Sequence, residues 1–68
     1  MELANNIKRY RQEKGWTQEQ LARKADITYT TLIKLESGAN ENPTIKTITK
    51  LADVLDINVD QLIGRSKK

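Results

Sequence analysis

The 68-residue chain contains no cysteine and no histidine. Thiolate nucleophiles, zinc fingers, haem ligation, disulfide staples and histidine-based triads therefore lie outside its chemistry. No clustered carboxylates stand in for them, so no group is poised for acid–base or metal work near neutral pH, and an enzyme is the weakest reading. What remains is hydrogen bonding and charge. Thr17-Gln18-Glu19-Gln20 has the spacing of a capping box, in which the threonine oxygen takes a backbone N–H and Gln20 reaches back. Thr28-Tyr29-Thr30-Thr31, followed by Ile33 and Lys34, gathers donors and acceptors around the start of another short segment. Lys8, Arg9, Arg11 and Lys14 cluster near the N-terminus, a run that is more often a solvated helix face than a binding patch.

The charge balance narrows the reading further. Twelve Lys and Arg against nine Asp and Glu give a net charge of +3. Arg65, Lys67 and Lys68 hold three of those positive charges, so residues 1–64 balance nine basic against nine acidic groups. The body is neutral and the excess is a basic tail over 65–68. Any anionic partner must therefore be recognised by where charges lie rather than by their sum. Seven Leu and seven Ile suffice for one small core and not for two. Such a core supplies only roughly 3–5 kcal/mol, so good local structure must help it. Met1 is followed by Glu2, and no apolar run approaches signal-peptide length or the ~20 residues of a membrane span. The expectation is a soluble, cytoplasmic chain with no membrane partner.

The elements that must position these groups are all helical. Leu3, Ile7, Tyr10 and Lys14 are spaced by four, three and four, which draws one stripe along one helix face, and Gly15 ends it. Trp16 before the Thr17 cap and Leu21 after it form a hydrophobic staple. The same device recurs with Ile27 and Leu32 around Thr28, and with Ile57 and Leu62 around Asn58. Asn58 also has Gln61 three residues on, which completes a second capping box. Pro43-Thr44 opens a further helix whose stripe is Ile45, Ile48, Leu51, Ala52 and Leu55. Ser37-Gly38-Ala39-Asn40-Glu41-Asn42-Pro43 is the one extended loop, with Gly38 placed for a left-handed cap. Strand alternation is absent. The spacing predicts an all-α, compact five-helix domain with helices over 2–14, 18–25, 29–37, 45–55 and 59–63.

Helices two and three carry the functional content. Only Asp26 and Ile27 separate Ala25 from Thr28, so the two helices turn sharply, with Ala22 and Ala25 small enough for close approach. Leu21, Ile27, Leu32 and Leu35 point inward and lock the angle. This is the spacing logic of a helix-turn-helix, whose second helix is held outward.

Thr17-Gln18-Glu19-Gln20-Leu21-Ala22, Leu32-Ile33-Lys34-Leu35-Glu36-Ser37-Gly38, Pro43-Thr44-Ile45 and Leu51-Ala52 together resemble the phage-repressor and Cro-type helix-turn-helix family. The bacterial xenobiotic-response-element regulators belong to it. The resemblance covers residues 3–64 and implies a lambda-repressor-like DNA-binding domain over 1–64. It implies that Tyr29, Thr30, Ile33 and Lys34 face base edges, that Thr28 contacts a phosphate or base, and that Gln18 meets a phosphate. It further implies a second phosphate cluster at Ser37, Asn40, Asn42 and Thr44, and a buried ion pair between Arg11 and Glu36. Thr17 is chiefly a cap, with phosphate contact as its second role.

General chemistry is compatible with these roles. Helix N-termini present orphan N–H groups and partial positive charge, which suit phosphate. Lys34 can donate to guanine O6 and N7, Thr30 can bond a base edge or touch a thymine methyl, and Ile33 can do only the latter. Blander roles stay open beside them: Tyr29 packing on helix two, Ile33 closing a contact between protein copies, Lys34 meeting phosphate or solvent, and Arg11–Glu36 acting as a structural pair.

Three positions depart from the family pattern. Asp26 and Asp56 stand where glycine is usual, and aspartate tolerates left-handed φ better than most residues. Glu41 sits in the loop where lambdoid repressors carry basic residues, which implies modest phosphate neutralisation and a shallow salt dependence. The resemblance implies a sequence-specific regulator of transcription, a repressor, acting on double-stranded DNA as a weak homodimer over a two-fold operator. It needs no cofactor, no metal and no small-molecule ligand. The competing expectation is a protein-interaction module such as an antitoxin. The neutral body favours it, and the polar, threonine-rich face of helix three opposes it.

Overall fold

The computed structural model describes residues 2–64. Five helices follow one another: α1 (Leu3–Glu13), α2 (Gln18–Lys24), α3 (Tyr29–Ser37), α4 (Ile45–Leu55) and α5 (Val59–Ile63). The expected boundaries agree to within one residue, the differences being frayed ends of α1 and α2.

Four of the five starts are fixed by side-chain caps. Thr17, Thr28, Thr44 and Asn58 accept from the backbone N–H three residues on, at 3.1, 3.1, 3.2 and 2.7 Å. At Thr17 and Asn58 the reciprocal bond is also made, because Oε1 of Gln20 and of Gln61 accepts from the cap's own N–H. Each cap satisfies a donor that the helix itself leaves orphaned, worth typically about 1 kcal/mol. Helix α1 lacks such a cap at Glu2.

The ends use two kinds of stop. Gly38 and Gly64 close α3 and α5 with φ of 86° and 81°. Gly64 is also closely approached, since a Cβ there would meet Glu2 Cβ at 3.0 Å and the Glu2 side chain would have to shift. After α2 and α4 the left-handed residue is aspartate: Asp26 at φ 59° and Asp56 at 62°. In both cases the next residue folds back, with Ile27 N–H donating to Ala22 O at 3.0 Å and Ile57 N–H to Ala52 O at 3.1 Å. That bond and the apolar residue carrying it form a Schellman closure.

The core draws on every helix: Leu3 and Ile7 from α1, Leu21 and Ala22 from α2, Leu32 and Leu35 from α3, Ile48, Leu51, Ala52 and Leu55 from α4, and Leu62 from α5. Trp16, Ile27 and Ile57 lie half-buried against it, as their staple positions require. Helix α1 packs on α3, α4 and α5, while α2 leans on α3. Asn6 Nδ2 ties α1 to the end of α5, donating to Leu62 O at 3.1 Å and Gln61 O at 3.3 Å.

Two members of the expected stripes fall outside the core. Ile45 is 71% exposed, because α4 meets the core only from Ile48 onward and its first residue projects past that contact. Lys14, the last position of the α1 stripe, is exposed, with its ammonium 5.7 Å from the centre of the Trp16 ring. Among the described residues no helix is long and apolar enough to cross a membrane. The expected basic tail over 65–68 lies outside the described residues.

Candidate nucleic-acid interface

The connection between α2 and α3 is four residues, 25–28, and Ala22 and Ala25 are buried where the helices meet. Burial of Leu32, Leu35 and Glu36 turns one face of α3 inward. Tyr29, Thr30, Ile33 and Lys34 occupy the opposite face at i, i+1, i+4 and i+5, so they form one contiguous surface. All four are exposed, Tyr29 at 45% and Ile33 at 36%. The surface therefore offers a phenol, a hydroxyl, an ammonium and one branched apolar group. That mixture matches the donors, acceptors and methyl groups of a major-groove floor.

Thr28 caps α3 immediately before this face, and Thr17 and Thr44 cap α2 and α4. Thr28 Oγ1 accepts from Thr31 N and donates to Thr31 Oγ1 at 2.7 Å, and Thr44 Oγ1 likewise donates to Thr47 Oγ1 at 3.1 Å. Thr17 accepts at its oxygen from Gln20 N. All three are exposed and first of all helix caps.

The loop after α3 is knitted to itself. Ser37 Oγ donates to Lys34 O and accepts from Ala39 N, at 3.2 and 3.3 Å. Asn40 N donates to Lys34 O at 3.1 Å, and Asn42 N donates to Asn40 Oδ1 at 3.0 Å. Exposed Glu41 lies between the two asparagines, so the loop carries a negative charge beside its amides.

Gln18, Arg11 and Glu36 are brought together. Arg11 Nε and Nη2 donate to the two oxygens of Glu36 at 2.7 and 3.0 Å, a bidentate pair whose side chains are 12% and 2% exposed. Gln18 Nε2 donates to Glu36 Oε1 at 3.0 Å. Spacing alone held no signal for that bond, which joins residues 18 apart. The N-terminal basic run is thereby divided. Arg11 turns inward, Arg9 lies 4.7 Å over the Tyr10 ring and 4.0 Å from Glu13, and Lys14 lies over Trp16. It is a solvated face with one buried member. Lys50 Nζ, on α4, donates to Asp26 O at 3.2 Å, a second long-range contact that holds the turn itself. Among the described residues no group of three or more metal-ligating side chains occurs.

Two short helices joined by a tight turn, with the second presenting a polar outer face, define a helix-turn-helix domain. The chain belongs to the helix-turn-helix family, whose profile matches residues 7–62. It is similar to the HTH-type transcriptional regulator SinR of Bacillus licheniformis, 36% identical over 62 residues that make up 91% of this chain and 56% of SinR. Antitoxin HipB of Escherichia coli is 36% identical over 58 residues, 85% of this chain and 65% of HipB. The crystal structure of the biofilm regulator SinR in complex with DNA superposes with a TM-score of 0.87 at 36% identity, covering 90% of this chain and 97% of that one. The chain thus spans a little over half the length of SinR and just under two thirds of HipB.

Proposed function

We propose that the chain is a sequence-specific double-stranded DNA-binding module of a cytoplasmic transcriptional regulator, acting as a repressor over residues 1–64. The observation that carries this reading is the outward face of α3, with Tyr29, Thr30, Ile33 and Lys34 exposed on a framework like one solved on DNA. Helix α3 lies in the major groove. Lys34 donates to guanine, Thr30 meets a base edge, Ile33 covers a thymine methyl, and Tyr29 lies on a base or phosphate. Gln18, Thr17 and Thr28 on one side, and Ser37, Asn40, Asn42 and Thr44 on the other, meet the backbone and fix register. The Arg11–Glu36 pair is structural. No cofactor, metal or small-molecule ligand takes part. One helix reads only a few base pairs, so a weak homodimer on a two-fold operator supplies the remaining specificity.

The test is enrichment of a random duplex pool by the folded chain at about 0.1 M salt, followed by sequencing. A pseudo-palindrome with half-sites roughly 10 base pairs apart is the expected outcome. A single short half-site would remove the dimer from the proposal. No enrichment at all would overturn DNA reading. It would favour a module that acts by holding a protein partner, the reading supported by the neutral body of the domain and by its likeness to an antitoxin.

A further inference from the structure

Gln18 begins α2 and Glu36 lies in the last turn of α3, and a single hydrogen bond joins them, from Gln18 Nε2 to Glu36 Oε1 at 3.0 Å. The same oxygen accepts from Arg11 Nη2, and the second carboxylate oxygen accepts from Arg11 Nε. Arg11 Nη1 continues the chain of bonds to Trp16 O at 2.8 Å. Glu36 is 5% exposed, its side chain more deeply buried than that of its partner Arg11, and among the described residues no buried side-chain nitrogen or oxygen lacks a partner. Three helices thus converge on one carboxylate, and Arg11 links it to the entry of α2.

The chemistry of that carboxylate decides how Gln18 is held. An ionised carboxylate offers only lone pairs, so the Nε2 end of the Gln18 amide must turn inward and Oε1 cannot. One Nε2 proton is used. The second, in the amide plane, remains for another acceptor. Gln18 is half-exposed, and its side chain would otherwise sample many rotamers and lose that freedom on meeting a partner. Here the ordering cost falls on folding, before any ligand arrives. Arg11 also balances the charge of Glu36, so the carboxylate does not repel an anion approaching Gln18.

We infer that Glu36 is a positioning residue for DNA binding: without touching DNA, it holds the Gln18 amide with its second N–H presented to a backbone phosphate. The inference rests on the proposal that Gln18 meets a phosphate, and the test separates the two. Binding of the full chain to a fluorescein-labelled duplex of random sequence is measured for the parent and for Gln18→Ala. The same comparison is then made in an Arg11→Met/Glu36→Met background, where apolar side chains of similar length replace the pair without leaving an orphaned charge.

Gln18→Ala is expected to weaken binding about tenfold in the parent, the size of one lost hydrogen bond to a charged group. In the double-methionine background, where Gln18 is already unheld, the same change is expected to cost less than about twofold by the same measure. Equal losses in both backgrounds would overturn the positioning role and leave the phosphate contact standing. No loss in either would overturn both. Should the double variant fail to fold, the parent decides by NMR on addition of the random-sequence duplex. One Gln18 Nε2 proton resonance that moves while the other keeps its position upholds the inference, and two resonances that both stay, or both merge with those of exposed Gln12, overturn it.

Discussion

Lys50 reaches from α4 to the turn of the helix-turn-helix, donating from Nζ to Asp26 O at 3.2 Å with the Asp26 carboxylate 3.7 Å away. The carbonyl belongs to the residue that leaves α2 in the left-handed region, so the contact braces the strained point of the motif against a helix outside it. The side chain of Asp26 is 95% exposed, so its ion pair contributes little. The bond to the carbonyl does not depend on which residue occupies position 26.

Glycine at the two left-handed aspartates should therefore act unequally. Asp56→Gly relieves the φ of 62° and should stabilise the chain by about 0.5–1 kcal/mol. Asp26→Gly relieves a similar strain but gives up the ion pair with Lys50, so its gain should be smaller. Urea unfolding midpoints of the two variants check this. A gain at Asp26 equal to that at Asp56 would mean that the Lys50–carboxylate contact contributes nothing.

The Arg11–Glu36 pair predicts a strong asymmetry between single and double replacement. Glu36→Met leaves a buried guanidinium unpaired and should cost about 3–5 kcal/mol, a loss comparable to the whole stability of so small a domain. Arg11→Met/Glu36→Met removes both charges and should unfold close to the parent. Trp16 is the only tryptophan and lies half-buried where Arg11 meets its carbonyl, so its fluorescence follows unfolding in all three chains. A double variant as unstable as the single would show that the pair contributes more than the avoidance of an orphaned charge.

What was legible in the sequence is what short spacing encodes. Thr17, Thr28, Thr44 and Asn58 announce four helix starts, and the apolar residues around three of those caps announce the staples. Gly38, Asp26 and Asp56 adopt the left-handed stops read for them. Of the contacts between residues far apart in the chain, Arg11 to Glu36 was anticipated, through the family resemblance and not through spacing, and the others were not legible. Gln18 to Glu36, Lys50 to Asp26 and Asn6 to Leu62 join residues 18, 24 and 56 apart. No local pattern marks them, because each depends on the angles at which whole helices pack. Ile45 misleads for a related reason: it fits the period of α4, and periodicity says nothing of where along a helix the packed segment begins.

Ile45 and Ile48 give that last point a direct check. They share a helix and a residue type but are 71% and 8% exposed. Ile45→Ser should change stability by less than about 0.5 kcal/mol, as surface substitutions do. Ile48→Ala should cost about 2–5 kcal/mol, through lost burial and the cavity left behind. Chemical unfolding of the two variants suffices. A large loss at Ile45 would mean that a second molecule covers it in solution, which dilution of the sample would reveal.

Lys34 and Gln18 should separate the two kinds of contact assigned to this surface. Lys34 lies on the outward face of α3, exposed like its neighbour Ile33. A lysine reading guanine discriminates one base pair, so Lys34→Ala should cost on the order of 1–3 kcal/mol on the enriched sequence, much less on random duplexes, and relax preference at one position. Gln18→Ala should lower affinity for both kinds of duplex alike, because a phosphate carries no sequence. On the proposed reading, Glu41 among the loop amides would keep the number of neutralised phosphates small, so affinity should fall only gently with salt. Binding profiles of the parent and the two variants, taken at several salt concentrations, contain all three readouts. Equal loss on both duplexes for Lys34→Ala would move that lysine from the bases to the backbone, and the reading of the groove would then rest on Tyr29, Thr30 and Ile33.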